Sequence, residues 1–518
     1  MIVLVHNGIT VTSILNEALK PTKTFSIGLI VTETLKQVAD KCPDNLVLWC
    51  HEKLIDSLDV NACTKIFHHE RIFASYNPTN KEYLPEEIGF VERSFYVKIN
   101  KKVSYPTWMM SSLVGGINTK VLNNLKPDLN FNNTFDYFLV SLAKRAMIEG
   151  LFCYSEPQLL KNYSEIKIET PKASKQVLFK FVKQHYKWVW IIFLAWCYAI
   201  YLKQTSVINF LGSLFYGRLN TNFNLEKIEI QSSKKLIDKK TIDVIIPTIG
   251  RKKFLYDVLK DLAKQTYLPT NVIIVEQNPK PNSVSELEYL NNEIWPFTIK
   301  HEFTHQPGVC NARNIALSKV ESEWTFLADD DIRFDTSFFE ASFKEIKKYG
   351  ISVLNYLCLL PNQKQTFFKT HQTTIFGSGS SMVKSSALKN LKFNEAYEFG
   401  FGEDTAFGMQ LRNEGEDVVF IPNIKITHLK APFGGYRTKI NQLWDNETIK
   451  PKPSPTIQLL HQTYFTERQL QGYKLLLFLK QFKAFGYKNT LKFKKTFAKQ
   501  WEQSVFWSNR LKQNNNNA

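Results

Sequence analysis

The second half of the chain alternates short apolar runs with segments of helical periodicity. Residues 242–248, Ile-Asp-Val-Ile-Ile-Pro-Thr, are typical of a parallel strand buried on both faces. Residues 271–276, Asn-Val-Ile-Ile-Val-Glu, predict a second strand. Apolar residues at helical spacing predict a helix between them: Phe254, Leu255, Val258, Leu259 and Leu262. Strand, helix and strand in series predict a βαβ unit and a doubly wound α/β sheet.

A further apolar run, Trp324–Ala328, ends on three consecutive carboxylates, Asp329-Asp330-Asp331. Packing like charges together costs folding free energy, so a cation is expected to offset the cost. A divalent ion bridging a nucleotide diphosphate would do so, and a solvated acidic turn is the alternative. Ligands of such sheets bind at the carboxyl ends of strands, so Thr248, Glu276 and Asp329 are predicted to face one crevice.

The first half of the chain is less regular. Residues 26–31 and Leu46–Trp49 predict strands, and Phe138–Ile148 predicts a helix. Residues 188–202 carry no charge and lie between Lys187 and Lys203. At fifteen residues this run is shorter than the roughly 20 that a membrane span needs. A buried inter-domain helix, an interfacial membrane helix and a true span all remain open.

The length of the chain predicts a division into domains, and its charge predicts a class of partner. A chain of 518 residues exceeds one ordinary core. We predict an N-terminal α/β domain over 1–175, an aromatic and basic connector over 176–239, a catalytic domain over 240–440, and a basic amphipathic helical region over 441–518 with a disordered tail from Asn514. The net charge is +18, and residues 474–500 contain eight lysines and no acid. Leucines and phenylalanines between these lysines favour a peripheral membrane contact, and a solvated surface helix is the alternative.

The seven cysteines are scattered and form no Cys-x-x-Cys pair. This usage predicts reduced thiols. No signal peptide is evident at the N-terminus. We therefore expect a cytoplasmic protein, peripheral on the cytoplasmic face of the membrane. No nucleic-acid motif is recognised, so nucleic acid is not an expected partner.

Several motifs occur in an order that resembles the inverting family 2 glycosyltransferases with a GT-A fold, over about residues 240–435. They are Pro247-Thr248, Gln265-Thr266-Tyr267, the stretch Gly308-Val309-Cys310-Asn311-Ala312-Arg313-Asn314, the Asp triplet, and Gly402-Glu403-Asp404. The resemblance implies a Rossmann-like nucleotide-diphospho-sugar transferase domain. For the first domain, a degenerate GT-A-like fold and an unrelated α/β fold are both open, because it has no Asp-x-Asp element.

The resemblance also implies a site for the donor. Asp329 would lie near the ribose, Asp330 beside it, and Asp331 on a Mn²⁺ or Mg²⁺ ion. His428 follows a predicted strand at 418–421 and would be a further metal ligand, with a structural histidine as the alternative. The other donor-binding residues would be Pro247, Thr248, Arg251, Glu276 and Arg313. Arg313 would pair with phosphate or hold the triplet, or would merely bridge helix and loop.

The Glu403-Asp404 pair resembles the element that carries the catalytic base. An inverting transfer is one in-line displacement, and the acceptor hydroxyl must lose its proton as it attacks. We predict Asp404 as the base and Glu403 as the residue that orients the acceptor. The alternative is an acidic pair that merely suits the positive end of a helix.

These observations predict a metal-dependent glycosyltransferase that moves one sugar from a nucleotide-sugar donor, a UDP-sugar, to a glycan or lipid-linked acceptor in cell-surface polysaccharide biosynthesis. The chain lacks the Gln-x-x-Arg-Trp element of processive members of the resembling family. Two other functions stay open. One is a nucleotidyltransferase, which would not release free nucleoside diphosphate, and the other is a non-catalytic scaffold for glycan assembly at the membrane.

Overall fold

The computed structural model describes residues 1–22, 24–79, 81–163, 168–432, 442–486 and 489–516. The chain divides into two compact units. Unit 1 comprises Met1–Lys234 and Thr466–Leu476, and unit 2 comprises Lys235–Phe465 and Leu477–Ala518. Most of the predicted connector therefore lies within unit 1 and is not a separate segment.

Unit 1 is built on a seven-stranded mixed sheet with the order β2-β1-β3-β6-β4-β7-β5. Its strands are β1 Ile2–His6, β2 Val11–Asn16, β3 Leu46–His51, β4 Ile72–Tyr76, β5 Tyr105–Pro106, β6 Val114–Asn118 and β7 Phe152–Ser155. Its helices are α1 Val31–Lys41, α2 Val60–Ile66, α3 Thr119–Leu125, α4 Phe135–Ala146, α5 Lys175–His185, α6 Val189–Tyr201 and α7 Val207–Ser213. Apolar side chains of β1, β3 and α2 form part of its core.

Unit 2 is built on a nine-stranded sheet with the order β10-β9-β8-β11-β15-β13-β16-β12, in which β14 also pairs with β16. The strands are β8 Ile242–Ile249, β9 Asn271–Gln277, β10 Thr298–Thr304, β11 Trp324–Ala328, β12 Ile332–Phe334, β13 Val353–Leu359, β14 His371–Gln372, β15 Ser380–Lys384 and β16 Val418–His428. The helices between β8 and residue 465 are α8 Lys252–Ala263, α9 Tyr289–Asn292, α10 Val309–Leu317, α11 Phe338–Tyr349, α12 Glu403–Asn413 and α13 Pro455–Tyr464.

The α/β pattern predicted for this part of the chain is confirmed. β8, β9 and β11 are parallel neighbours, and the apolar residues predicted to face the sheet from α8 are buried at Leu255, Val258, Leu259 and Leu262. Every residue of β9 and β11 is buried. Continuous apolar runs therefore form central strands covered on both faces.

The two sheets share an arrangement of strands. In the first sheet, β1 pairs with β3 and β4 pairs with β7 in parallel, whereas β6 pairs antiparallel with both β3 and β4. Strands β8, β11, β15, β13 and β16 repeat this series in the same chain order. The small strands β5 and β14 pair antiparallel with β7 and β16. The sheets differ beside the first strand, where β2 is antiparallel and β9 is parallel.

One predicted strand of unit 1 is wrong. Residues 26–30 form bends and an isolated bridge, and helix α1 begins at Val31. Gly28 has a φ of +89°, which an extended strand does not accommodate. The segment instead forms two backbone hydrogen bonds with Val11, at 2.8 and 2.9 Å.

The uncharged run at 188–202 forms α6 of unit 1. One face is buried at Ile191, Phe193, Leu194, Cys197 and Tyr198. Within the described residues, no helix combines the length and the apolar character needed to cross a membrane. A span by this run, one of the three alternatives, is therefore wrong.

The C-terminal region forms two long helices, α14 Glu467–Ala484 and α15 Thr490–Asn516. In unit 2 their phenylalanines pack on one another: the ring of Phe493 lies 5.1 to 5.5 Å from those of Phe478, Phe482 and Phe485. Phe493 and Phe497 are buried, so much of the apolar face that we predicted for a membrane packs within the protein. The predicted disordered tail is wrong as far as Asn516, where α15 ends, and Asn517 lies outside the described residues.

Candidate functional site

Strand register brings the predicted carboxylates and histidine to one edge of the sheet of unit 2. β16 is parallel to β13, which is two antiparallel steps from β11, so β8, β11 and β16 all end at the same edge. Ile332, which follows the Asp triplet, pairs with His428 at the end of β16. This pairing places Asp331 beside His428, about a hundred residues later in the chain.

A cavity of about 620 Å³ opens at this edge. Ten of the predicted site residues line it: Pro247, Thr248, Arg251, Arg313, Asp329, Asp330, Asp331, Glu403, Asp404 and His428. The structure therefore brings together residues from five separate parts of the sequence. Their individual contacts divide them into three groups.

The first group is Asp331 with His428. The Asp331 side chain is buried, and His428 Nε2 lies 3.2 Å from its Oδ1. The other oxygen, Oδ2, accepts a hydrogen bond of 2.8 Å from the amide of Ala431. The carboxylate holds the pKa of His428 above its ordinary value. Burial opposes ionisation of Asp331, but its contacts with His428 and Ala431 leave the pKa of this carboxyl below its ordinary value.

Asp329 completes the first group, where an arginine holds its carboxylate and backbone approaches it closely. Arg313 on α10 is buried, and its Nη2 donates to Asp329 Oδ1 at 3.0 Å. The amide of Asp329 donates to the carbonyl of Gly379 at 3.3 Å. A Cβ atom at position 379 would lie 2.1 Å from the Asp329 carboxylate carbon, so only glycine fits there. The contact of Arg313 with Asp329 favours one of its three alternatives, that of a residue that holds the triplet.

The second group is Asp330 with Thr248, near the end of β8, and Arg251, directly before α8. Asp330 Oδ2 accepts from the Thr248 hydroxyl at 2.7 Å, and Oδ1 accepts from Arg251 Nη1 at 2.7 Å. Burial raises the pKa of Asp330 to about 6, against the opposing charge of Arg251. Asp330 is thus turned toward the protein, and Asp329 and Asp331 are the two members of the triplet nearest to His428.

These residues fit a divalent ion. Asp329, Asp331 and His428 each offer one ligand atom, and the three atoms lie within 4.8 Å of one another. Asp331 Oδ1 is buried and makes no hydrogen bond of good geometry beside its 3.2 Å contact with His428 Nε2, so this oxygen has the capacity to take a cation. Two carboxylate oxygens and an imidazole nitrogen suit Mn²⁺ or Mg²⁺.

The third group lies across the cavity at the start of α12. Glu403 and Asp404 are the first two residues of this helix, and Glu403 is buried. Asp404 Oδ1 accepts hydrogen bonds from the amide of Ser378, at 3.3 Å, and from its hydroxyl. Burial raises the pKa of Asp404 above its ordinary value, and the positive charge of Arg313 and the Ser378 donors oppose this shift.

Sequence reasoning missed Glu398 as a lining residue. Its carboxylate accepts from the amides of Cys310 and Asn311, each at 3.1 Å, at the start of α10. Gly308 has a φ of +145°, and a Cβ there would lie 2.6 Å from the Glu398 carboxylate carbon. The glycine in the 308–314 motif was the available signal, because it marks a point where backbone meets another group closely.

Glu276 is the one predicted site residue that does not line the cavity; its neighbour Gln277 does. Its carboxylate accepts from the amide of Glu286 at 2.9 Å and lies 3.0 Å from His301 Nε2. These contacts hold it against the loop after β9. A donor contact by Glu276 stays a prediction.

Unit 1 has the same frame without the acidic triplet. The amide of His51, directly after Cys50 of β3, donates to Leu113 as Asp329 donates to Gly379. Asp136, the second residue of α4, accepts from the Ser112 hydroxyl at 2.6 Å, as Asp404 accepts from Ser378. Ser112 lies two residues before β6, and Ser378 lies two residues before β15, so the two serines occupy equivalent places. The triplet is thus replaced by His51-Glu52-Lys53, and Gly379 by a buried leucine.

Among the comparisons with known proteins, the family model locates a match in unit 2. Residues 243–409 match the family model described as "Glycosyl transferase family 2". No curated protein sequence matches the chain.

Among solved structures, S. aureus TarS 1-349 is 19% identical over 36% of this chain and 60% of that one, with a TM-score of 0.32. The same fragment in complex with UDP-GlcNAc is 17% identical over 52% and 82%, with a TM-score of 0.36. GalNAc-T7 with UDP, GalNAc and Mn²⁺ is 12% identical over 50% and 55%, with a TM-score of 0.37. The chain thus spans about 60% of the first of these, and similarity at this level carries no argument about function.

Proposed function

We propose that unit 2, in which residues 243–409 match the family 2 glycosyltransferase model, transfers one sugar, with inversion, from a nucleotide-sugar donor to an acceptor hydroxyl. The observation that carries the proposal is the pairing, across one cavity, of Asp329, Asp331 and His428 with Asp404. The first three residues supply ligands for an ion, and the fourth supplies a base.

The three ligands would hold Mn²⁺ or Mg²⁺ against the donor diphosphate. When bound, the ion neutralises the negative charge that develops on the leaving diphosphate. Asp330 then has a positioning role, because it holds Thr248 of β8 and Arg251, directly before α8, against the triplet. Arg313 fixes Asp329 and adds positive charge on the side of the cavity that faces the diphosphate.

Asp404 would accept the proton of the acceptor hydroxyl. Both serine contacts use Oδ1, so we assign proton transfer to Oδ2. Burial strengthens a carboxylate as a base because it disfavours the charged form. Glu403, beside it on the first turn of α12, would orient the acceptor.

The donor and acceptor are proposed by class. A UDP-sugar is the proposed donor, and the proposed acceptor is a glycan or a lipid-linked glycan of cell-surface polysaccharide biosynthesis on the cytoplasmic face of a membrane. A panel of nucleotide sugars with Mn²⁺, read by release of free nucleoside diphosphate, tests the donor class. Release of pyrophosphate instead would favour a nucleotidyltransferase.

Unit 1 is proposed to be a GT-A-like domain without donor binding. The shared strand order and the Ser112–Asp136 pair support this. The loss of the acidic triplet and the leucine at 113 remove both the metal ligands and the space beside them. Such a domain would serve assembly or acceptor positioning.

Gly379→Ala tests the close approach at the triplet. The added Cβ would meet the Asp329 carboxylate at 2.1 Å and displace it, since Gly379 lies on backbone that pairs with Asp329 itself. We expect transfer to fall by about 10- to 100-fold, as for loss of groups that orient metal ligands. Gly217→Ala, where no atom lies within 4 Å of the added Cβ, is the control and should transfer normally. Normal Mn²⁺-dependent transfer by Gly379→Ala would contradict the assigned role of Asp329.

Ser378→Ala tests Asp404 as the base through pH dependence. The serine hydroxyl stabilises the charged carboxylate, so its removal raises the pKa of Asp404 further. The base must be deprotonated, so activity falls as pH drops through this pKa. The acid limb of the plot of log kcat/KM against pH is expected to shift to higher pH by about one unit.

The control for this experiment is Ser381→Ala, whose hydroxyl donates to Asn355 at 3.1 Å and not to Asp404. Its acid limb should coincide with that of the unsubstituted protein. A limb that stays in place in Ser378→Ala, or moves to lower pH, would remove Asp404 from the role of base.

A further inference from the structure

Helix α7 of unit 1 presents apolar side chains to solvent. The exposed fractions are 64% for Val207, 84% for Ile208, 52% for Leu211, 49% for Leu214 and 90% for Phe215. Val207, Ile208 and Leu211 lie along one side of the helix, at spacings of one and four residues, and Leu214 and Phe215 lie in the turn that follows Ser213, its last residue. An exposed apolar strip of this kind marks a surface that contacts something other than water.

The opposite side of α7 is polar or small. Asn209 Nδ2 donates to Gln176 on α5 at 3.2 Å. Gly212 also approaches Gln176, whose Nε2 would lie 2.7 Å from an added Cβ. Ser213 is fully buried. The helix therefore reverses the usual arrangement, in which apolar residues face the protein and polar residues face water.

Helix α6, which contacts α7, also exposes apolar side chains. Trp188, Trp196 and Ile200 are exposed by 61%, 49% and 44%, while the other side of α6 is buried in unit 1. Tryptophan prefers the level of lipid headgroups, where one part of the ring is apolar and the N–H is hydrated. Since α6 is half-buried, it is suited to lie against a bilayer and not to cross it.

The charge around these helices has one sign. From residue 170 to residue 225 the sequence contains six lysines, one arginine and no acid. Lys187 and Lys203 flank α6, Arg218 follows α7, and all three are exposed. This arrangement complements an anionic surface with an apolar interior.

From the reversed polarity of α7 and the flanking cations, we propose that α6 and α7 form a docking surface for anionic lipid. The side chains of Ile208 and Phe215 enter the headgroup region, and Lys187, Lys203 and Arg218 contact anionic headgroups. The proposal concerns unit 1 and does not depend on the transferase activity of unit 2. It would bring the chain to the surface where a lipid-linked acceptor is found.

The test is co-sedimentation of the full chain with vesicles of neutral phosphatidylcholine and with vesicles that also contain phosphatidylglycerol. We expect binding to the anionic vesicles and at least tenfold weaker binding to the neutral ones. The double substitution Ile208→Ser and Phe215→Ser should reduce binding to anionic vesicles at least tenfold. Lys187→Gln and Lys203→Gln should each reduce it about fivefold.

The matched control replaces equally exposed apolar residues of unit 2, Val284→Ser and Ile294→Ser, which are exposed by 76% and 101%. This variant should bind vesicles normally. Donor turnover is measured in all variants without vesicles, and it should be unchanged, which separates loss of docking from loss of unit 2 function. Absence of binding to anionic vesicles, or equal binding by the double variant, would overturn the proposal. A dimer in light scattering that the double variant dissociates, without vesicle binding, would show a protein interface instead.

Discussion

Replacing Asp404 with Asn is expected to reduce sugar transfer by about 10²- to 10⁴-fold, the usual contribution of a general base. Asn has the size of Asp, and it still accepts the hydrogen bonds from Ser378, but it does not take a proton. The effect should fall on kcat, because the base acts as the acceptor hydroxyl attacks. Steady-state release of nucleoside diphosphate measures it, and an unchanged melting temperature shows that the fold is retained.

Unit 1 supplies the matched control, Asp136→Asn. Asp136 has the same helix position and the same serine donor as Asp404, so both substitutions impose the same local change. Transfer by Asp136→Asn should be normal, since unit 1 lacks the acidic triplet. Equal losses in the two variants would contradict the assignment of catalysis to unit 2, and so would near-normal transfer by Asp404→Asn.

Replacing Asp331 with Asn is expected to remove most metal-dependent transfer. A bound ion contributes several kcal/mol to stabilising the transition state, so a loss of about a hundredfold or more follows. Asp331 provides the buried ligand oxygen, and its neutral substitute no longer attracts a cation. Mn²⁺ at a hundred times its Kd should stabilise the unsubstituted protein by about 2.7 kcal/mol, and this stabilisation should be absent from Asp331→Asn.

Asp335→Asn is the control, because Asp335 is exposed and lies four residues beyond the ligand. Its Mn²⁺-dependent shift in melting temperature and its turnover should match those of the unsubstituted protein. A full Mn²⁺ response in Asp331→Asn would show that the ion binds elsewhere. Transfer that persists in a chelator would show that the reaction needs no ion.

Local patterns predicted the parts of unit 2 that depend on neighbouring residues. The run at 242–248 became β8 because a buried parallel strand needs apolar residues on both faces, and the triplet followed β11 as expected. Asp331 and His428 lie together because β16 pairs with β12, the strand directly after the triplet. No local sequence pattern indicates this pairing. The family resemblance, not the periodicity, pointed to His428.

Contacts between distant loops escaped prediction. Ser378 was not identified as a partner of Asp404, and Glu398 was not identified as the acceptor at the start of α10. Both depend on how the loop before β15 and the loop before α12 fold over the sheet. The place of Glu276 near the end of a strand was predicted correctly. The direction of its side chain was not, because it depends on the contact with His301 on the next strand.

Unit 1 shares part of the strand arrangement of unit 2 but not its acidic triplet. Its strand order and the Ser112–Asp136 contact match those of unit 2, yet no residue pattern in 1–175 predicted this match strongly. Apolar strands and a buried serine–carboxylate contact stabilise the sheet with or without a ligand. The acidic triplet places three carboxylates together, which costs folding free energy that a cation offsets, so it is the feature that distinguishes the two units.

The most direct test of the central claim is the release of free nucleoside diphosphate from nucleotide sugars, measured with Mn²⁺ for the unsubstituted chain, Asp404→Asn and Asp136→Asn. We predict Mn²⁺-dependent release by the unsubstituted chain and by Asp136→Asn, and at least a hundredfold slower release by Asp404→Asn. Equal rates in all three proteins, or no consumption of any nucleotide sugar, would contradict the assignment of unit 2 as a metal-dependent glycosyltransferase.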